Sequence, residues 1–517
     1  MLTNWIIFFI IIQLVHFLGT WKLYQKAGRK SWEALIPVYN AVVLTKIMNR
    51  PWWWVILLFV PIVNLMMFPA FWVETARSFG KEKTPELFLV VLTLGFYLYY
   101  LNYVEDVKYN KDRQLAPYTT AGEWTTSIVF AIVAATIVHT YFIRPYNIPT
   151  SSLEKTLLVG DFLFVSKMHY GAPTPNTPIA FPMVHDTIPL LKIKSYVKDI
   201  QLPSFRTPGF QKIKRNDIVV FYWPTDTVRF FRDPSGIHAH KPLDKKSNYV
   251  KRCVGIAGDS LQIINGDVFI NGKLSEYPDR TKLQYFYNVE PDATYSTFPN
   301  FVRKNNFELR QNYDGKILFN LTNEMADKLK SNKRIKFIQK SIDTNLVFNR
   351  AIFPHSPINK WNVDNFGPIY IPEKGKTVEL NLLTLPLYTR IIKEYEHNTL
   401  EVKGSEILIN GKVTNQYTFQ QNYYWMMGDN RQNSEDSRYW GFVPFDHVVG
   451  KPTFIWFSLE KFNSENPKPF FKRIRWDRMF TTVGGSGKPV SYLPHFIIAM
   501  VVLYGFSVYR SKKKTTK

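Results

Sequence analysis

The sequence predicts a mainly β region, interrupted by an inserted lobe and anchored by about five transmembrane α-helices. Three observations carry this expectation. Long apolar runs crowd the first quarter of the chain and recur near its end. Between them, short β-branched and aromatic runs are bounded by Gly, Pro, Asn or Asp, and one hairpin-like pattern occurs twice. With 517 residues, 46% hydrophobic and 16% aromatic, the chain can build both a core and membrane spans, so its mean hydropathy of −0.16 averages two unlike parts.

The apolar runs begin with residues 5–18, which carry no charge and are followed by no small-residue cleavage site, so they read as an uncleaved anchor rather than a signal peptide. Residues 51–72 hold Trp52, Trp53 and Trp54 at one end and Trp72 at the other, as aromatic belts would. Further spans are expected at 87–101, 128–143 and 492–509, the last preceded by the flexible Gly484-Gly485-Ser486-Gly487. These runs divide the ends of the chain into a multi-span module of about three spans (1–124), an anchor (125–143), a linker (484–491), a C-terminal transmembrane helix (492–509) and a basic tail (510–517).

Lys22, Lys26, Arg29, Lys30, Lys46 and Arg50 lie between the first two runs, and Arg510, Lys512, Lys513, Lys514 and Lys517 follow the last. By the positive-inside rule both groups face the cytoplasm, which puts residues 144–491 on the opposite face if an even number of spans precedes Arg144. Four satisfies that condition.

The central region reads as a β core in two parts, 144–273 and 400–483. Residues 162–168, 217–222 and 249–256 are strand-like. The pattern Leu261 to Lys273 is echoed at Leu400 to Lys412, and each copy contains an Asn-Gly pair suited to a tight type I′ turn. Residues 274–399 mix charge and aromatics and read as the inserted lobe, with a helix at Asn323 to Lys330. Residues 467–480 alternate basic and aromatic side chains and suit either a headgroup-facing segment or an exposed strand.

The net charge of +24 is scattered or flanks the apolar runs, which points to anionic lipid and away from nucleic acid. The single cysteine, Cys253, excludes an intramolecular disulfide, and inside a β-like run it reads as a small buried apolar residue.

Three stretches could carry chemistry. In Ile148-Pro149-Thr150-Ser151-Ser152-Leu153-Glu154-Lys155-Thr156-Leu157 the proline fixes φ and biases Ile148 to extended backbone, so Ser152 sits at a corner that suits a nucleophile. Such clustered hydroxyls more often make turns or N-caps. An activated serine needs a histidine, carboxylate or lysine as base; the ten histidines lie in no nucleophile-elbow context, and lysine is offered twice. Lys155 completes a local S-x-x-K, although the S-D-N and K-T-G of penicillin-recognising enzymes are absent. Lys251, in Tyr249-Val250-Lys251-Arg252-Cys253, would share a strand face with Tyr249 and Cys253, where lost hydration lowers an amine's pKa; a lone strand lysine is otherwise solvated. The third stretch, Met427 to Pro444, packs Asp429, Asn430, Arg431, Ser434, Asp436 and Arg438 into a loop able to satisfy its own charges and orient an amine.

Together the three stretches resemble bacterial type I signal peptidases, the membrane-bound Ser/Lys proteases that remove signal peptides. The resemblance covers residues 146–171, 215–224, 249–273 and 427–458 in the family's order. It implies a signal-peptidase-like β fold with Ser152 as nucleophile, Lys251 as general base, Ser434 orienting the lysine, and Thr150 joining the Ser152 N–H in an oxyanion hole. By the same resemblance Asp436 and Arg438 form a supporting pair, and Ile148, Leu153, Leu157, Tyr249 and Val250 line small apolar pockets for substrate alanines. It calls for no metal or cofactor. It further implies exported preproteins as substrates, membrane lipid and secretion machinery as partners, no nucleic acid, and a multi-pass protein of a bacterial inner membrane with its catalytic part outside. The chain departs from the family's usual Ser-Met-x-Pro-Thr-Leu, having Leu153 and Lys155 in place of methionine and proline, and Gln432 stands where aspartate is common. A penicillin-recognising transferase using Lys155, or a catalytically silent scaffold for exported chains, remains the alternative.

Overall fold

The computed structural model describes residues 2–117, 119–228, 235, 238–292, 296–305, 307–313, 316–461 and 467–515. They form two compact units, one comprising Met1–Phe142, Thr174–Phe205 and His240–Lys245, the other Ile143–Pro173, Arg206–Ala239 and Lys246–Lys517.

The second unit is mainly β. Its principal sheet contains β1 (Ile143–Asn147), β2 (Asp161–Ser166), β3 (Ile218–Tyr222), β4 (Asn248–Gly255), β5 (Tyr423–Met427), β6 (Val443–Pro444), β7 (Val448–Ser458) and β8 (Thr481–Thr482). The order is β1-β2-β7-β3-β4-β5-β6, with β8 beside β7. All pairings are antiparallel. Alternation sorts the side chains of the middle strands into two cores. Cys253, Tyr424 and Met426 pack with Val219, Phe221 and Trp440. Val254, Trp425 and Met427 pack instead with Leu261, Phe353 and Phe442. Cys253 is thus a buried free thiol within a core.

The sequence echo is a structural repeat. Ser260–Ile264, Asp267–Ile270 and Lys273–Leu274 form one three-strand meander, and Leu400–Lys403, Glu406–Ile409 and Lys412–Val413 form the other. Asn271-Gly272 and Asn410-Gly411 share φ values of 52° and 77°, both positive as a type I′ turn requires. In each copy the asparagine also ties back to the start of the meander. Asn271 N–H donates to the Ser260 carbonyl (2.8 Å) and Asn410 N–H to that of Thr399 (3.0 Å). The Ser260 and Thr399 N–H groups return the bond to the asparagine side-chain oxygens.

Residues 274–399 divide in two. Gln284–Pro291, Glu308–Tyr313, Lys316–Thr322 and Ile335–Lys340 form a separate four-stranded sheet around Val289, Phe319, Leu321 and Leu329. The expected helix Asn323–Lys330 is present and capped by Thr322 Oγ1, which accepts from Met325 N–H. Of the later residues, Phe366–Tyr370 joins the first meander by pairing with Ser260–Ile264, and Thr377–Glu379 forms a separate two-stranded sheet with Gln416–Thr418. Residues 467–480 are mostly irregular, with a short helix Phe470–Arg473 whose phenylalanines are exposed. Arg475 and Arg478 turn inward to the buried Asp161.

About five spans are expected over the whole chain, and the described helices account for fewer. Among the described residues, three helices are long and apolar enough to cross a membrane: Trp5–Lys26, Thr120–Phe142 and, in the other unit, Leu493–Arg510. A fourth would require the pair Thr84–Leu92 and Tyr97–Tyr103, bent by 112°, to count as one span. Residues 51–72 do not form one helix. Pro61 supplies no N–H and Ile62 takes a φ of 70°, so the helix is broken between the short Trp54–Leu57 and Asn64–Ser78. That second helix carries Glu74, bonded to Arg50, Arg77 and Arg113. Of the basic tail, residues 516 and 517 lie outside the described residues.

Candidate active site

The corner at Ser152 follows from how β1 ends. Ile148 still pairs towards β2, its N–H donating to the Asp161 carbonyl and its carbonyl accepting from Gly160, both at 2.9 Å. Pro149 has no N–H to continue the ladder, and residues 150–157 run through turns instead of a helix. Lys155 there has a φ of 68°, a conformation closed to the proline of the family's usual motif.

The polar loop 428–438 clamps this corner. Asn430 N–H donates to the Ser152 carbonyl (3.0 Å), Asn430 Nδ2 to the Ser151 carbonyl (3.1 Å) and Asn433 Nδ2 to Ser151 Oγ (2.7 Å). Thr156 Oγ1 donates to Asp429 (2.7 Å). Gly428 is where the two stretches touch: a Cβ built there would collide with Ser434 Oγ and lie 2.6 Å from the Ser152 carbonyl oxygen. The charges of the loop are paired. Arg438 binds Asp436 through Nε and Nη2 (2.9 Å each), and Asp436 accepts from Gly428 N–H (3.1 Å). Burial alone would raise the Asp436 pKa, but Arg438 holds the carboxyl below its usual range.

Strand β4 delivers the lysine. Lys251 pairs with Val219 of β3, and the neighbouring Arg252 faces the other way into a bidentate pair with Asp429, both bonds 2.7 Å. Lys251 is only 3% exposed and its Nζ lies 5.7 Å from the Tyr249 ring centre. Burial pushes its pKa down from 10.5 to about 8, against the opposing pull of Asp436 and Glu435.

Ser152 and Lys251 line one cleft of about 1200 Å³, together with Thr150, Ile148, Tyr249 and Val250. Ser434, Asp436 and Arg438 are buried outside its walls, and Leu153 and Leu157 are packed in the interior and do not line it. Ser152 Oγ and Lys251 Nζ bond to no described residue, and so not to each other. Ser434 Oγ is likewise buried without a partner among the described residues. The sequence reading overlooked Glu435, whose carboxylate accepts from Tyr249 OH (3.3 Å) at the cleft wall. It assigned no role to Asn430 and Asn433, which clamp the corner, and for which the density of short amides in the loop is the available signal. Among the described residues no group of three or more His, Cys, Asp or Glu could hold a metal ion.

Comparison with known proteins identifies the family. A family model described as "Signal peptidase, peptidase S26" matches residues 121–314 and 371–457, more than half of the chain. A second, described only as a family of unknown function, matches residues 32–112. The chain is 26% identical over 339 residues to a signal peptidase I of Buchnera aphidicola, covering 65% of this chain and 74% of that protein. It is 25% identical over 384 residues to a signal peptidase I of Helicobacter pylori (72% and 94% covered), and 25% identical over 391 residues to one of Haemophilus influenzae (72% and 78%). With its β region and its apolar helices, the chain belongs to the signal peptidase family, peptidase S26, and is a membrane serine endopeptidase of the bacterial type I class.

Proposed function

We propose that the chain removes N-terminal signal peptides from exported preproteins, with Ser152 as nucleophile and Lys251 as general base. The observation that carries this is one cleft lined by a corner serine and by a strand lysine whose amine has lost its water. At pH 7 an amine of pKa about 8 is neutral roughly 300 times more often than one of pKa 10.5. Lys251 Nζ takes the Ser152 proton as Oγ bonds to the scissile carbonyl carbon. The ammonium then returns that proton to the leaving amine, and water resolves the acyl-enzyme. The Ser152 N–H donates to no described residue and is free to bind the oxyanion beside the Thr150 hydroxyl; one such donor is worth roughly 3 kcal/mol.

In this reading Ser434 orients the amine and the Asp436–Arg438 pair fixes the loop that carries it. Ile148, Tyr249 and Val250 contact the substrate, and Leu153 and Leu157 shape the pocket from behind. Apo active sites often lack the catalytic hydrogen bond, which tightens on substrate. Lys155 is the weaker candidate, because Ser152 and Lys155 lie in turns and not one helical turn apart. Cleavage of a preprotein by the purified protein should vanish in Ser152→Ala and Lys251→Ala and persist in Lys155→Ala. Processing by Lys251→Ala at the wild-type rate would overturn the assignment.

The reading extends to the membrane. Trp5 Nε1 donates to the Gln201 carbonyl (3.2 Å), which supports the outer end of the first helix lying on the same face as the segment that joins β2 to β3. An even number of crossings then precedes β1. The helices Trp5–Lys26 and Thr120–Phe142 supply two, and the bent pair re-enters without crossing. The basic residues between these helices and the tail beyond residue 510 then face the cytoplasm, and the catalytic unit faces outward. Gln284–Lys340, with its own sheet and core, is the inserted lobe.

A further inference from the structure

The ribbon of residues 179–197 is unaccounted for by any of this. It is laddered by hydrogen bonds, Val197 N–H to the Ile179 carbonyl (3.0 Å), Phe181 N–H to Ser195 (2.6 Å) and Ser195 N–H to Asp186 (2.8 Å). Its end is closed by Ile188 N–H donating to the Ile193 carbonyl and Lys192 N–H donating to the Ile188 carbonyl, each 2.9 Å. This ordered tip presents apolar side chains to the outside. Leu190 is 94% exposed, and Leu191, Ile193, Phe181 and Met183 are each more than half exposed. A hydrogen-bonded ribbon gains nothing in water from displaying five large apolar groups, so the display implies a partner.

The foot of the ribbon identifies which partner. Asn176 bonds to Leu202 and Ser204 across the base, and the next carbonyl inward, Gln201, accepts from Trp5 at the start of the first apolar helix. Ribbon and helix belong to one compact unit. The ribbon therefore springs from the level at which that helix leaves the hydrocarbon. Lys192 flanks the tip, where its stem can follow the apolar side chains and its ammonium group meet anionic headgroups, while Lys194 is paired with Asp186 (2.8 Å).

We propose that the ribbon of residues 179–197 dips its tip, Leu190 and Leu191, into the lipid leaflet beside the first helix, as a contact with acyl chains and anionic headgroups. This goes beyond the proteolytic reading and does not depend on Ser152 or Lys251.

The sole cysteine, Cys253, is buried, so a cysteine introduced at the surface can be labelled selectively. The full chain carrying Leu190→Cys, labelled with an environment-sensitive fluorophore, is reconstituted into vesicles of phosphatidylethanolamine and phosphatidylglycerol; Leu274→Cys, on an exposed meander strand, is the control. The expected result at 190 is quenching by nitroxide on the lipid acyl chains and loss of quenching by aqueous iodide, with the reverse at 274. Iodide quenching at 190 without lipid quenching overturns the proposal. Shielding at 190 that arises only in native membranes overturns it as well, and assigns the tip to a protein. No cleavage is read, so failure here is distinct from failure of the catalytic assignment.

Discussion

Replacing Lys251 with methionine should abolish cleavage and at the same time stabilise the protein at neutral pH. The lysine is 3% exposed, and its pKa falls from 10.5 to about 8 because the ammonium is buried. That depression corresponds to about 3 kcal/mol of cost in holding the charged form inside the fold. The sign follows from proton counting. The folded pKa lies below the unfolded one, so the unfolded chain binds more proton between them, and stability rises with pH across that window. The cost is fully present below about pH 8 and gone above 10.5. Methionine fills a similar volume without a charge, so Lys251→Met should be more stable than wild type by up to about 3 kcal/mol at pH 7. The difference should close towards pH 10.5, where other groups titrate alike in both proteins. Denaturation of the detergent-solubilised pair at the two pH values reads this directly. Equal stability at pH 7, or a gap independent of pH, would refute the claim that the amine is desolvated.

Three further outcomes follow from the same geometry. Gly428→Ala would press a methyl group against Ser434 Oγ and the Ser152 carbonyl; displacing the corner by about 1 Å should cost roughly 100-fold in cleavage rate, with the melting temperature much less affected. Asp429→Asn leaves the buried Arg252 without its counter-charge and should lose roughly 3–5 kcal/mol in chemical denaturation. Glu435→Gln removes a carboxylate that raises the Lys251 pKa, so the acid limb of the pH–rate profile should move to lower pH; a limb that stays or moves up contradicts the placement of that charge beside the base.

Much of the site was legible because its chemistry is local in sequence. Pro149 announces a corner, and the alternation of β4 puts Lys251 and Arg252 on opposite faces, as the Arg252–Asp429 pair demonstrates. The two Asn-Gly turns announce the meander and its copy. What sequence alone did not yield depends on contacts distant along the chain. Leu153 and Leu157 share the apolar character of a pocket wall, yet which apolar residues face the cleft is decided by how the corner meets the loop at 428–434. The clamp of Asn430 and Asn433 on Ser151 and Ser152 spans almost 300 residues of chain. Hydropathy suggests one span over residues 51–72, which are mostly apolar, while Pro61 and the positive φ at Ile62 break the helix that apolarity suggests. Phe366–Tyr370, within the stretch read as the lobe, looks unlike the meanders in sequence but hydrogen-bonds to one of them.

The central claim is that Ser152 is acylated with Lys251 taking its proton, and intact-mass analysis of the purified full chain, rapidly quenched during turnover of a preprotein, tests it most directly. The account predicts an acyl adduct that maps to Ser152, forms faster as pH rises through about 8, and is absent from Lys251→Ala. An adduct on another residue, or one formed on Ser152 at an undiminished rate in Lys251→Ala, would contradict it.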